Sequence, residues 1–316
     1  MTPFFSVIIP LFNRENFITP TIQSVLNQTC SDFEVIVVDD FSTDNSVAVV
    51  EAISDSRVRI IKQPFNQERG AARNKGFEES KGKYICFLDS DDFFKPNHLA
   101  TFFAEIEKRN EPKCLFFSNS YMDDGKSKYK KEVPLLKDCK KEVPLLKDYN
   151  VFEYILHYTF HPARTCVHRD VINDFKFDAS ISGIEDLDLW LRIATKYDVI
   201  QLQEYTSIYN LHDEQYTFSD SKRHEKELVN FKTVFNKTEL KGKLPQEQIN
   251  KHFAQSHYFI SLKSKGFLTK FKHSFLSYKF YPKGYNENSN KAMFVNCLYS
   301  FPVIGYIVKS IVRALK

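Results

Sequence analysis

The sequence predicts an α/β fold, a mainly parallel sheet flanked by helices, with a helical C-terminal extension. Three observations carry that expectation. Short, almost continuous apolar runs alternate with stretches of helical period through roughly the first 110 residues, as in parallel strands covered on both faces. Polar clusters fall where those runs end, which is where an open α/β sheet binds its ligands. Charge then divides the chain. Residues 222–316 carry 18 Lys/Arg against 5 Asp/Glu, a balance of +13, whereas residues 1–221 carry 26 against 35, a balance of −9.

Phe5-Ser6-Val7-Ile8-Ile9-Pro10 is a β-branched run and reads as the first buried strand. Leu11-Phe12-Asn13-Arg14 follows as a loop. Thr19-Pro20 opens a helix, Thr as N-cap and Pro at the first helical position, with Ile22, Val25 and Leu26 as its apolar stripe. Glu34-Val35-Ile36-Val37-Val38 is a second strand ending in Asp39-Asp40, and Ser42-Thr43-Asp44 caps a helix bearing Val47, Val50 and Ile53. Residues 58–61 form a third strand. Asn66 and the segment Arg69-Gly70-Ala71-Ala72-Arg73-Asn74 follow, the segment starting a helix that reaches about Ser80. Tyr84-Ile85-Cys86-Phe87-Leu88 is the fourth strand, and Pro96 starts a helix with Leu99, Phe102, Phe103 and Ile106 inward. This alternation requires right-handed crossovers between parallel strands.

The fourth strand ends abruptly in Asp89-Ser90-Asp91-Asp92. Hard carboxylate oxygens in an Asp-x-Asp pattern suit Mg²⁺ or Mn²⁺, which would hold a substrate's phosphates. Asp and Ser also favour turns, and that is the competing reading. Four strand-end segments (10–14, 39–40, 66–74 and 89–92) converge on one crevice, which weights the balance toward a cation site. No G-x-G-x-x-G follows the first strand and no G-x-x-x-x-G-K-[ST] occurs, so neither a dinucleotide oxidoreductase nor a P-loop NTPase is expected. Phosphate would then fall to the cation, with Arg73 or Arg69 assisting.

Four pieces in order and spacing resemble glycosyltransferase family 2, nucleotide-sugar-dependent enzymes of the GT-A fold. They are Val7-Ile8-Ile9-Pro10-Leu11-Phe12-Asn13, the run from Glu34 through Asp39-Asp40-Phe41-Ser42-Thr43-Asp44, Gly70-Ala71-Ala72-Arg73-Asn74-Lys75-Gly76, and Phe87-Leu88-Asp89-Ser90-Asp91-Asp92. The resemblance implies that Pro10, Phe12 and Asn13 line the base and ribose side, with Asp39 and Asp40 beside the nucleotide. It implies Arg73 near the nucleotide, Asp89 and Ser90 at the sugar diphosphate, and Asp91 with Asp89 around the metal. Phe41 stands where the family often has Gly, so that turn is expected to be built differently. The resemblance further implies a catalytic domain over 1–213, with a nucleotide-sugar half to about 112 and an acceptor half from about 113.

Lys113-Cys114-Leu115-Phe116-Phe117-Ser118 reads as a fifth strand. A duplication with a ten-residue period, Lys130 to Asp138 and again Lys140 to Asp148, is too short for a solenoid and reads as a surface loop. His157, His161 and His168 have no metal-ligand spacing and are expected to be structural. Gly183-Ile184-Glu185-Asp186-Leu187-Asp188 opens a helix with Leu187, Leu191 and Ala194 on one face. Acids there are favoured by the helix dipole in any case, and the functional reading is a general base. The segment resembles the family's Glu-Asp motif, which implies Asp186 as the base with Glu185 assisting. Asp188 is not separable from Asp186 at this level. His212, in Tyr209-Asn210-Leu211-His212, matches a place where the family often has a histidine near the metal, and is a further candidate ligand.

From Glu214 the chain reads as helical and basic, with helices over 225–235, 246–262 and 267–281. Residues 294–308, followed by Lys309, Arg313 and Lys316, are short for a membrane span and resemble an interfacial anchor. A helix packed on the catalytic domain is the competing reading. The six cysteines form no C-x-x-C pair, which argues against zinc or a disulfide framework and fits a reducing, cytoplasmic setting. No charged region precedes an apolar stretch at the N-terminus, so no signal peptide is expected.

The combined reading is a Mn²⁺- or Mg²⁺-dependent, inverting glycosyltransferase acting on a UDP-sugar. It would move one hexosyl or N-acetylhexosaminyl group to a glycan or lipid-linked acceptor of bacterial surface polysaccharide. Inversion is implied by the resemblance alone. Nucleic acid is not an expected partner, and the basic extension suits the anionic inner face of the cell membrane. Two alternatives remain. A nucleotidyltransferase would need a Gly-rich basic loop after the first strand, and a non-catalytic scaffold would have no need of Asp89, Asp91 and Asp186.

Overall fold

A computed structural model describes residues 2–123, 130–131, 145–158, 160–212, 221–264 and 267–281. Most of the ten-residue duplication and all of 294–316 lie outside the described residues, as do Cys139 and Cys297. The chain forms two compact units, Met1–Asp213 and Glu214–Lys316.

The first unit begins β1 (Phe5–Leu11), α1 (Ile18–Leu26), β2 (Phe33–Asp39), α2 (Ser46–Glu51), β3 (Val58–Lys62), α3 (Glu68–Glu79), β4 (Tyr84–Phe87). These four strands pair in parallel in the order β3-β2-β1-β4, with Val7 opposite Val35 on one side and Cys86 on the other. Every residue of β1 is buried, which is why its sequence is a continuous run rather than an alternation. The rest follows as β5 (Phe93–Phe94), α4 (His98–Lys108), β6 (Leu115–Asp123), β7 (Lys130–Lys131), α5 (Val151–His157), β8 (Thr165–His168), α6 (Arg169–Asp174), α7 (Glu185–Ile193) and β9 (Val199–Asn210). Beyond β4 the sheet is mixed: β8 runs antiparallel to β4 and β6, whereas β9 is parallel to β6. The expected parallel character therefore belongs to the first four strands.

Several boundaries differ from those expected. α1 starts at Ile18, before Thr19, because the Arg14 carbonyl accepts the N–H groups of Phe17 and Ile18 and turns the chain into the helix early. Pro20 then sits within the first turn, where a missing N–H costs nothing. Asp44 does serve α2, accepting the Ser46 N–H at 2.9 Å, but Ile53 lies past the helix end. Phe103 is not inward; it packs edge-on against Phe4 and keeps 37% exposure. On α3, a Cβ at Gly76 would come within 2.5 Å of Ile8 Cγ2, so glycine lets the helix lie directly on β1 and sets the height of Arg73 one turn earlier.

The second unit contains α8 (Ser221–Phe235), α9 (Gln246–Lys263) and α10 (Phe267–Phe280). Polar contacts join α9 to α10, with His257 Nδ1 2.9 Å from His273 Nδ1 and Ser261 Oγ 2.7 Å from Ser274 Oγ. Among the described residues no helix is long and apolar enough to cross a membrane.

Candidate active site

Strand order reverses between β1 and β4, because β2 and β3 build outward on one side of β1 and β4 lies on the other. The crevice at such a switch point opens beyond the carboxyl ends of the strands. The loops leaving β1, β2, β3 and β4 meet there. Two of them, and the first position of α3, hold a non-glycine residue in the left-handed region: Asn13 at φ +50°, Phe41 at +69° and Glu68 at +69°. Such strain persists where surrounding contacts overdetermine the backbone, and it gathers at ligand sites. At Phe41 the turn places phenylalanine in the conformation natural to glycine, its ring 51% exposed.

The nucleotide-side candidates form a connected frame. Pro10 is buried within β1, whereas Phe12 stands exposed on the loop. Asn13 Oδ1 accepts the Thr43 N–H at 2.8 Å and the Asn13 N–H donates to Ser42 Oγ, tying the β1 loop to the β2 loop. Asp39 accepts the Ser42 N–H at 3.2 Å. Asp40 is turned inward: its Oδ1 accepts from Gln63 Nε2 and from the Gln67 N–H, each at 2.7 Å. Burial holds its carboxyl above the ordinary value, against those hydrogen bonds. Asp40 thus braces the loops after β2 and β3. Phe65, exposed on the loop after β3, joins Phe12 and Phe41 as a third exposed ring on these loops, and the sequence reading overlooked it.

Asp89 and Asp91 face different partners. Arg73, 1% exposed, donates from Nη2 to Asp89 Oδ1 at 2.6 Å and from Nη1 to Glu185 Oε1 at 2.9 Å. Arg69 Nε approaches the same Glu185 oxygen at 3.3 Å, and Glu185 Oε2 accepts the Gly183 N–H at 2.7 Å. Burial alone would raise both carboxyls. The two guanidiniums prevail and hold Asp89 and Glu185 below their ordinary values. Arg73, desolvated but flanked by two carboxylates, is held above its own.

Asp91 faces a different group, where its Oδ2 accepts from Arg14 Nε at 3.2 Å and lies 3.0 Å from His212 Nε2. The His212 ring stacks on Phe17 with centroids 4.2 Å apart. Asp92, fully buried, accepts the Asn210 N–H at 3.0 Å and lies 3.8 Å from His161 Nδ1. His168 has the structural role expected of it, its Nδ1 accepting the Asp170 N–H at the start of α6. Ser90 is buried, and its carbonyl accepts from Thr21 Oγ1. Phe17 was not singled out by sequence, and Arg14 entered only as the last residue of the strand-end segment 10–14.

The first turn of α7 resolves three acids. Asp188 is completely buried and paired with Arg192 at 2.8 Å, whose Nη2 also donates to the Lys176 carbonyl. Glu185 is committed to the two arginines. Asp186 remains partly exposed, with Oδ1 accepting the Leu187 N–H at 2.8 Å. Burial, reinforced by the neighbouring Glu185 charge, pushes its carboxyl up to about 6. A carboxylate poised there is suited to accepting a proton near neutrality.

Among the described residues no group of three or more His, Cys, Asp and Glu is arranged to hold a metal by itself. Mg²⁺-like ions are commonly held by one or two protein ligands plus substrate phosphates, so that is not a requirement. The Asp91 carboxylate fits Mn²⁺ or Mg²⁺ in kind, and the His212 imidazole, a softer nitrogen donor, favours Mn²⁺ over Mg²⁺. Asp89 is taken up with Arg73.

The family model "Glycosyl transferase family 2" matches residues 6–174. An uncharacterized glycosyltransferase of Methanocaldococcus jannaschii is 29% identical over 81% of this chain and 84% of its own length. TuaG of Bacillus subtilis, provisionally named for teichuronic acid biosynthesis, is 36% identical over 38% of this chain and 47% of its own length. Several other curated relatives are likewise matched over 31% to 43% of their length. The crystal structure of S. aureus TarS residues 1–349 in complex with UDP-GlcNAc superposes with a TM-score of 0.58 at 20% identity, over 94% of this chain and 80% of that one. At that identity the likeness speaks for the fold.

Proposed function

The chain belongs to glycosyltransferase family 2, and on that premise we propose that it transfers a single sugar from a UDP-sugar to a hydroxyl of a cell-surface glycan or lipid-linked acceptor, with inversion at the anomeric carbon. The observation that carries the reading is Asp186, with a carboxyl near pKa 6, beside the Arg73–Asp89–Glu185 cluster at the head of the crevice. UDP as the nucleotide is supported by the UDP-GlcNAc bound to TarS, and a surface polymer as the destination by the name of TuaG.

In this reading Phe12 stacks on the base, and Asn13 and Asp39 face the nucleoside. Arg73, with Arg69 near it, holds Asp89 and Glu185 in place on the sugar side. Asp186 accepts the proton of the acceptor hydroxyl as its oxygen attacks the anomeric carbon, and the bond from that carbon to the diphosphate breaks. A divalent cation held through Asp91 and His212 would supply positive charge against the departing diphosphate. Arg73 and Arg69 add fixed positive charge on the same side of the crevice.

The test is donor turnover by the full chain with UDP-sugars and Mn²⁺. Asp186→Asn is expected to lower kcat by about 10²–10⁴-fold, the usual worth of a general base, while UDP affinity measured by calorimetry stays the same. Undiminished turnover in Asp186→Asn removes the base assignment.

A further inference from the structure

Two positive or protonatable groups converge on one oxygen, Oδ2 of Asp91: Arg14 Nε at 3.2 Å and His212 Nε2 at 3.0 Å. Their side chains are 20% and 12% exposed, and that of Asp91 is 16%. Arg73, by contrast, is locked at 1% between two acids. The backbone at Arg14 is firmly held, its N–H donating to Ser46 Oγ at 2.8 Å and its carbonyl accepting from Phe17 and Ile18. Its side chain is tied to Asp91 and, through Nη1, to the Asn13 carbonyl at 2.9 Å. The arrangement is therefore a fixed pivot carrying a partly solvated guanidinium on a carboxylate.

We propose that Arg14 is a latch on the cation-binding carboxylate. Its guanidinium competes with a divalent cation for Asp91 Oδ2. The donor's diphosphate draws it off, so cation and nucleotide bind cooperatively. This rests on the reading of Asp91 and His212 as cation ligands. The physical basis is competition: two cations cannot share one carboxylate oxygen without mutual repulsion, and a guanidinium fork matches diphosphate oxygens better than it matches one carboxylate oxygen. The coupling is reciprocal, so the nucleotide must tighten the cation by the factor with which the cation tightens the nucleotide. His212, stacked on Phe17, stays in place as the second ligand while Arg14 moves.

The experiment titrates the full-length protein with Mn²⁺, following the free ion by electron paramagnetic resonance, with and without UDP. In the wild type UDP tightens Mn²⁺ binding by about tenfold or more, within the usual span of coupling factors. Arg14→Met keeps the aliphatic stem and lacks the charge. It binds Mn²⁺ about tenfold more tightly than wild type in the absence of UDP, and UDP adds little further, since the coupling resides in the latch. Arg14→Gln serves the same purpose should the methionine variant not fold. Loss of a merely structural contact would leave Mn²⁺ affinity the same or weaken it. If both proteins take Mn²⁺ with equal affinity, the latch is refuted and the cation site stands. If neither takes Mn²⁺ although UDP binds, the cation reading of Asp91 fails and the latch falls with it.

Discussion

Asp89 and Asp91 lie two residues apart on one loop, yet they belong to regions of opposite character. Asp89 joins a cluster in which Arg73 and Arg69 hold both it and Glu185 ionised; Arg73 and Glu185 are nearly inaccessible to water, while Asp89 and Arg69 are partly exposed. Asp91 joins a group with Arg14 and His212 that has no fully buried member, each keeping some contact with solvent. The difference follows from position. α3 lies flat on β1 through Gly76 and drives Arg73 into the crevice floor, while the β1 loop carries Arg14 along its rim. A buried arginine bridging two carboxylates suits a rigid frame. A partly solvated pair can exchange partners at low cost.

The largest effect should come from breaking the frame. Arg73→Met leaves Asp89 and Glu185 without their main cationic partner in a buried setting, and is expected to destabilise the protein by about 3–5 kcal/mol. Denaturant unfolding measures it, and a loss below about 1 kcal/mol would make the frame no more costly to break than an exposed ion pair. Next comes the titration of Asp186, which stands beside that frame. A base works deprotonated, so turnover is present above the folded pKa of about 6 and lost as pH falls through it. The rate should decline about tenfold per pH unit on the acid side. A pH–rate profile flat to pH 4 would show that another group takes the proton. The smallest effect belongs to the rim. Asp91→Asn removes one charge from a partly buried group and is expected to cost about 1–3 kcal/mol, the worth of hydrogen bonds to a charged group, while abolishing the effect of Mn²⁺ on UDP binding. A loss like that of Arg73→Met would erase the contrast between the two regions.

Much of this was legible in sequence, for local reasons. A strand buried on both faces must be apolar throughout, so β1, β2 and β4 stand out as runs, and turn-forming acids mark their ends. Helical period placed α3, α7 and α9 to within a residue or two. The mixed half of the sheet was not legible. β8 is four residues long, and no local signal tells such a strand to run antiparallel between β4 and β6. Capping was only partly readable, because the Arg14 carbonyl rather than Thr19 sets where α1 begins.

By itself the sequence determined the parallel first half, the crevice at its strand ends and the kinds of residue gathered there, because each follows from periodicity and turn chemistry within a few residues. Only the tertiary structure decided who faces whom. Arg73 meets Glu185 across 112 positions, and Asp91 meets His212 across 121. Asp188 is withdrawn into an ion pair with Arg192, which leaves Asp186 as the accessible acid of its turn. Chain closure over such separations is governed by how whole elements pack, and a carboxylate's role depends on which charge and how much water that packing leaves beside it.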